Sequence, residues 1–120
     1  MPRETEDAAS LWDMLDAAQA VSRFVQGRSF KEYTEDLMLR SAVERQIEII
    51  GEAARCVSED FQRSHPEIPW RGIIGQRHVL AHDYADVKHD RLWRAATELV
   101  PELIRLLEPL VPPAPPQAGP

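Results

Sequence analysis

The segment from residue 77 to residue 84 concentrates the reactive side chains of this chain. It reads Arg-His-Val-Leu-Ala-His-Asp-Tyr, so eight residues supply a guanidinium, two imidazoles, a carboxylate and a phenol. A guanidinium stays charged and matches the geometry of a phosphate, and an imidazole titrates near neutral pH and transfers protons. These residue types therefore favour chemistry on a phosphate ester, in which one group neutralises charge and another moves a proton.

Three interpretations of this segment follow from the residues alone. In the first, its charged groups lie at the surface near a helix end, where histidine is electrostatically favourable. In the second, His78 and His82 share a helix face and bind a metal ion; however, position 79 is not the Glu of zinc peptidases, and adding Asp83 leaves the ligand set incomplete. In the third, His82 acts as acid or base, and Arg77 stabilises a pentacoordinate phosphorane.

The spacing of Arg77 and His82 imposes a geometric condition on the third interpretation. The two residues are five positions apart, and an ideal helix separates such positions by about 140° around its axis. They converge if the helix frays near His82 or if the long Arg77 side chain reaches round the helix. They also converge if a symmetric dimer brings two copies of the segment to one cleft.

Apolar periodicity predicts that helices position this segment. The predicted main helices cover about residues 5–26, 36–63, 69–84 and 88–110, and a short helix covers 29–33. The pattern contains no strand-like alternation. The sequence therefore predicts an all-α, up-and-down bundle of four main helices plus one short helix.

Individual residues add local predictions to this pattern. Ser29 and Glu32 form a capping box at the start of the short helix. Gly51, inside the second main helix, indicates the close approach of another helix, since glycine there otherwise costs about 1 kcal/mol. Pro101 is expected to kink or interrupt the last helix. Trp70 is expected to anchor the start of the helix that carries the motif.

Composition and charge narrow the class of protein. We expect one helical domain over residues 1–111 and a disordered Pro-rich tail over 112–120. The net charge of −6 argues against a broad basic face for nucleic acid and leaves room for a local basic cleft. The single cysteine, Cys56, is predicted to be buried. It allows no intrachain disulfide, and no secretory signal or bilayer-length apolar run is present, so we expect a cytoplasmic protein without membrane association.

The motif and its flanks resemble those of a known family. Arg77, His82 and Tyr84 match the arginine–histidine–tyrosine motif of HepT-like ribonucleases, which are toxins of the HEPN superfamily. The flanking segments that resemble the family are Ile49–Ala54, His65–Trp70 and Ile73–Gly75. The resemblance covers about residues 8–110.

This resemblance implies a fold, a site and a reaction. Such proteins are helical bundles that form homodimers, place the motifs of both subunits at a shared cleft, and cleave RNA without a metal ion or other cofactor. By resemblance, Arg77 and His82 are the catalytic pair. Tyr84 matches the tyrosine to which a partner, an MntA-like minimal nucleotidyltransferase, transfers AMP. A phosphate added there brings negative charge and bulk beside the site.

Two residues of the segment are assigned supporting roles. The family usually has Asn directly after the motif arginine, so His78 is a departure that replaces a neutral amide with a titratable ring. We expect the supporting hydrogen bonds and the pH dependence to differ accordingly. Asp83 is common at its place in the family and is expected to be a local structural partner.

The sequence thus predicts a metal-independent endoribonuclease, the toxin of a type VII-like toxin–antitoxin system that AMP transfer to Tyr84 neutralises. The alternative is a non-catalytic helical binding partner of a minimal nucleotidyltransferase. The net charge of −6 favours that alternative.

Overall fold

All regular structure in the described part of the chain is helical. In this computed structural model, the backbone is described for residues 2–82 and 85–112, and the side chains for residues 6–76 and 87–112. The helices are α1 (Pro2–Val25), α2 (Phe30–Glu35), α3 (Leu37–Cys56), α4 (Glu59–Ser64), α5 (Trp70–His82), α6 (Ala85–Arg94) and α7 (Val100–Leu107), with a π-helical turn at Ala95–Leu99 and a 3₁₀ turn at Glu108–Leu110. The predicted all-α class is confirmed, while the up-and-down order and the dimer stay predictions.

The described residues bear on two further predictions, the Pro-rich tail and the absence of a membrane-spanning segment. The predicted tail at 112–120 lies outside the described residues except for its first proline. Among the helices of the described part, none combines the length and the apolar character needed to cross a membrane.

The core forms around the central helix, α3, because both α1 and α5 pack against it. α1 contacts both α3 and α7, α5 packs on α3, and α2 closes against α3 and α6. Aliphatic side chains fill the space between these helices, which supplies the main driving force for folding. Fully buried examples are Met14, Ala18, Val21, Val43, Ala54, Leu92, Ala96 and Leu107.

The start of α2 confirms the predicted capping box. The Ser29 hydroxyl accepts a hydrogen bond from the Glu32 backbone N–H at 3.1 Å, and the Ser29 N–H donates to the Glu32 carboxylate at 2.9 Å. One helix later, the Asp36 carboxylate caps α3 by accepting from the Leu39 N–H at 3.0 Å. Each cap satisfies backbone donors that the first turn of a helix leaves unpaired.

The predicted continuous helix over residues 36–63 is wrong, because the helix is interrupted at Val57 and Ser58. The Asp7 carboxylate, buried on α1, accepts from the Ser58 N–H at 2.8 Å and from its hydroxyl at 2.7 Å. The same hydroxyl accepts from the Phe61 N–H at 3.2 Å and so caps α4. A serine followed by two acidic residues is a helix-start signal, and here it lies inside an otherwise periodic run.

The predicted last helix over residues 88–110 is divided rather than simply kinked. α6 begins at Ala85, and a π-helical turn at Ala95–Leu99 precedes α7. The Val100 N–H donates to the Ala95 carbonyl, five residues back instead of four. Because Pro101 has no N–H to continue the regular ladder, the interruption predicted there is confirmed, and it takes the form of a wider turn.

The predicted burial of Cys56 is wrong. Cys56 is exposed, since α3 ends there and the next residue, Val57, takes the buried position at 3% exposure. At the other end of α3, the apolar side chain of Leu37 is also exposed, at 68%.

Gly51 confirms the predicted close approach of another helix, and that helix is α5. Gly51 is buried, and a Cβ atom placed on it would lie 3.4 Å from the backbone carbonyl oxygen of Ile73. The backbones of α3 and α5 therefore approach as closely as a methyl group allows. This contact sets the position of the helix that carries residues 77–82.

Substitutions at Gly51 should test this contact. Gly51→Ala is expected to change the free energy of unfolding by less than about 1 kcal/mol, because its methyl group just reaches ordinary contact and alanine favours a helix. Gly51→Leu should push α5 away and cost about 1–3 kcal/mol. Urea denaturation followed by circular dichroism measures both, with the alanine variant as the matched control. Equal stability of the two variants would contradict the close contact.

Candidate functional site

The structure places three residues of the reactive segment on α5. Arg77, His78 and His82 belong to this helix, and His82 is its last residue. Their side chains lie outside the described ranges, and Asp83 and Tyr84 lie outside the described residues altogether. The backbone therefore locates the predicted catalytic pair, whose side-chain roles stay predictions.

The backbone of α5 gives the relative directions of positions 77 and 82. The helix is regular as far as His82, its last residue, so these two directions differ by about 140°. Fraying near His82, the reach of the Arg77 side chain and a second copy of the chain all stay predicted routes to convergence.

The start of α5 is held by Trp70, which confirms its predicted anchoring role. Trp70 is 7% exposed, and its indole N–H donates to the His65 carbonyl at 3.0 Å. The Pro69 carbonyl accepts from the Ile73 N–H at 3.0 Å, so Pro69 directly precedes the helix instead of opening it. These contacts fix where α5 begins, and thus where residues 77–82 fall along it.

The helix that follows the reactive segment, α6, is held by other residues. The Lys88 ammonium forms an ion pair with the Glu44 carboxylate of α3 at 3.0 Å, and both side chains are about three-quarters buried. α6 is also held by α2, whose Tyr33 ring meets His89 edge-on at 6.2 Å and Trp93 at 5.3 Å between ring centroids. Trp93 therefore serves packing.

Tyr33 is a buried phenol in this cluster. It is 0% exposed, and within the described part of the chain its hydroxyl has no hydrogen-bond partner. Burial, reinforced by the Glu44 carboxylate nearby, raises the pKa of Tyr33 to about 12. Both effects disfavour the phenolate, so Tyr33 stays neutral and acts as a packing residue near neutral pH.

An apolar groove runs beside the reactive segment, between α3, α5 and α7. It encloses about 230 Å³, and its lining includes Ile47, Ile50, Ile73, Leu99, Leu103 and Leu106. Leu99 is 55% exposed at its edge. Gln76, directly before Arg77, also lines the groove, and its buried side-chain oxygen has no hydrogen-bond partner among the described residues. The groove therefore suits an apolar surface rather than a phosphate.

Metal-ligating side chains do not cluster in the described ranges. Among the side chains of residues 6–76 and 87–112, no three from His, Cys, Asp and Glu come together as metal ligands would. The imidazoles of His78 and His82 lie outside these ranges, so their proposed metal-free chemistry stays a prediction.

Sequence reasoning missed the residues that hold α6. Glu44 and Lys88 are separated by 44 positions, and neither stands out among the charged residues of an amphipathic helix. Tyr33 lies next to a capping box and gave no signal of complete burial. Such contacts depend on how helices pack, which periodicity within one helix does not specify.

Comparison with known proteins identifies relatives for nearly the whole domain. Residues 14–110 match a family model described as Ribonuclease HepT-like. A Methanocaldococcus jannaschii protein named as a "Putative RNase" is 36% identical over 83% of this chain and 92% of its own length. The "Probable ribonuclease HepT" of Thermococcus cleftensis is 38% identical over 78% of this chain and 84% of its own. No solved structure matches the chain with comparable significance.

Proposed function

The chain belongs to the HepT-like ribonuclease family, and we propose that it is an endoribonuclease that cleaves RNA without a metal ion or other cofactor. The observation that carries this proposal is the family match over residues 14–110, which includes all of α5 and with it Arg77 and His82. The relatives named as ribonucleases match this chain along most of their own length. This supports a shared activity rather than a shared fragment.

The proposed reaction uses the 2′-hydroxyl of RNA as its nucleophile. His82, as the neutral imidazole, accepts the proton of the 2′-hydroxyl while the 2′-oxygen forms a bond to the adjacent phosphorus. The bond from phosphorus to the 5′-oxygen breaks, and that oxygen takes up a proton from an acid or from water. Arg77 stabilises the extra negative charge of the phosphorane. The products are a 2′,3′-cyclic phosphate and a 5′-hydroxyl.

We further propose that the active form is a homodimer with the motif of both copies at one cleft. The regular backbone of α5 supports this, because it points positions 77 and 82 about 140° apart within one chain. The apolar groove and the exposed Leu99 beside the motif helix offer surface of the kind that buries between subunits. In such a dimer, Arg77 of one copy acts with His82 of the other.

Regulation by AMP transfer is the second part of the proposal. A minimal nucleotidyltransferase of the MntA type would transfer AMP to Tyr84, two residues after His82, as in a type VII-like toxin–antitoxin pair. Each transferred group carries a phosphate whose charge would compete with RNA for Arg77. His78 and Asp83, which come before and after His82 in the sequence, are proposed as supporting residues.

The alternative function is a non-catalytic partner of the nucleotidyltransferase. The net charge of −6 favours it, since RNA is a polyanion. Under this alternative Tyr84 is still modified, but the free protein does not cleave RNA. Both functions therefore predict AMP transfer to Tyr84, and only the ribonuclease function predicts cleavage of RNA.

Cleavage without metal is the first prediction of the nuclease proposal. Pure protein in excess EDTA should cut single-stranded RNA and leave cyclic phosphate ends, detected by mass spectrometry. His82→Ala should lower the rate by at least about 100-fold, the usual contribution of a general acid or base. Its circular dichroism should match that of the wild type. Activity that disappears in EDTA and returns with a divalent ion would contradict the mechanism.

A mixture of two inactive variants should test the shared cleft. Arg77→Ala and His82→Ala are each expected to be inactive alone. After mixing and subunit exchange, a mixed dimer holds one site with both wild-type groups, so cleavage should return to roughly a quarter of the wild-type rate per protein, since half the dimers are mixed and each has one of two sites. No recovery, with exchange verified by differently tagged copies, would place both groups in one chain.

Modification of Tyr84 is expected on co-expression with a minimal nucleotidyltransferase. The intact mass of the protein should rise by one or more AMP units, and Tyr84→Phe should abolish the increase. The modified protein should bind RNA more weakly and lose its cleavage activity. If modified and unmodified protein cleave RNA at the same rate, AMP transfer is not the neutralising step.

A further inference from the structure

The guanidinium of Arg71 forms no ion pair with the described part of the chain. It lies in the first turn of α5, its side chain is exposed, and it takes part in no hydrogen bond or ion pair there. Of the side chains described on α5, residues 70–76, it is the charged one. A guanidinium left free at the surface is available to an external anion.

The acidic groups close to Arg71 are already engaged. An open depression between α4 and α5 is bordered by Arg71, Glu59 and Arg63. Arg63 forms an ion pair with the Glu59 carboxylate at 3.8 Å, which offsets the negative charge that Glu59 brings to this depression. The depression therefore keeps a positive charge at its α5 edge, although the chain as a whole is acidic.

The helical register places Arg71 in one row with the end of the motif. Positions 75, 78 and 82 follow Arg71 by four, seven and eleven residues, so their backbone directions lie within about 40° of that of Arg71. His82, the proposed acid or base, thus stands at the far end of the row that Arg71 begins. Arg77 stands about 120° from that row.

Gly75 leaves the middle of this row open. It is exposed, and a Cβ atom placed on it would meet no other atom within 4 Å. No side chain therefore projects from the helix between Arg71 and position 78 on this row. Because glycine has no side chain, a phosphodiester strand could approach the helix backbone at position 75 more closely than it could if any other residue stood there.

We propose that Arg71 binds a phosphate of the RNA strand remote from the cleaved one, so that the strand runs along this row of α5 from position 82 to Arg71. This inference depends on the proposed ribonuclease function for its substrate. Eleven residues of helix span about 16 Å, and a stacked strand has one phosphate per roughly 3.4 Å. The contacted phosphate is therefore about five stacked nucleotides from the cleaved one, or fewer if the strand is extended.

Binding to an uncleavable RNA tests Arg71 without relying on turnover. The probe is a fluorescein-labelled single-stranded 12-mer with 2′-O-methyl groups, which retains every phosphate and lacks the nucleophile. Fluorescence anisotropy is measured from low to moderate salt. Arg71→Ala should weaken binding about tenfold and reduce the slope of log K against log salt by about 0.7, the value for one single-strand phosphate contact. Arg71→Lys should keep the slope, because the charge remains.

Arg55 provides the matched control. It is exposed at the end of α3 and, like Arg71, has no hydrogen bond or ion pair in the described part of the chain. Arg55→Ala makes the same change in net charge and should leave the salt slope unchanged. An equal loss in both variants would reduce the effect to net charge and overturn the proposal.

A single neutral linkage locates the contact on the strand. A methylphosphonate is moved along the 12-mer one linkage at a time, and the penalty at each position is compared between wild type and Arg71→Ala. Wild type should show a penalty at one linkage that disappears in Arg71→Ala. Identical penalty profiles for the two proteins would overturn the proposal.

Failure of this inference differs from failure of the ribonuclease function. If unmodified RNA is cleaved in EDTA but Arg71→Ala changes neither binding nor salt slope, the function stands and Arg71 has no part in it. If no cleavage occurs but RNA binding depends on Arg71, the function fails and the binding row stands. If Arg71 serves a partner protein instead, RNA binding is unchanged by its substitution, which also overturns the proposal.

Discussion

The approach of two helix backbones at Gly51 is the contact on which the placement of α5 depends. Because Gly51 has no side chain, the Ile73 carbonyl oxygen of α5 can lie only 3.4 Å from the position that a Cβ atom on residue 51 would take. The four residues that follow Ile73 lead to Arg77, so the distance between the two helices fixes the axis on which the motif is carried. A larger residue would move that axis without touching the motif itself.

One face of α3 holds the chain on both sides of the reactive segment. Gly51 contacts α5, and Glu44, seven residues earlier, pairs with Lys88 of α6. Positions seven apart on a helix point in nearly the same direction and lie about 10 Å apart along the axis. α3 therefore acts as a common support that sets the separation of α5 and α6, and α2 adds a second hold on α6 through the Tyr33 ring.

Local sequence signals predicted the features that depend on neighbouring residues. The Ser29 capping box and the anchoring by Trp70 each depend on residues within a few positions. The close approach at Gly51 was indicated by the glycine itself, although its partner, Ile73, lies on another helix. The break at Ser58 was missed because its decisive partner, Asp7, lies 51 positions away. The Glu44–Lys88 pair was missed for the same reason, since long-range pairs follow from packing and not from periodicity. Of the site, the sequence predicted the residue types and the angle of about 140° between positions 77 and 82, and the backbone of α5 is regular over both positions.

The π-helical turn at Ala95–Leu99 shifts the helical phase of α7 relative to α6. A turn with one additional residue behaves as an insertion that rotates everything after it by about 100°. α6 packs against α2, whereas α7 packs against α1. The rotation at the π-helical turn allows these two consecutive helices to pack against different neighbours. The segment after residue 99 is thus out of phase with the segment before residue 95. A deletion of one residue within the turn would bring the two into phase and turn the apolar row of α7 away from α1.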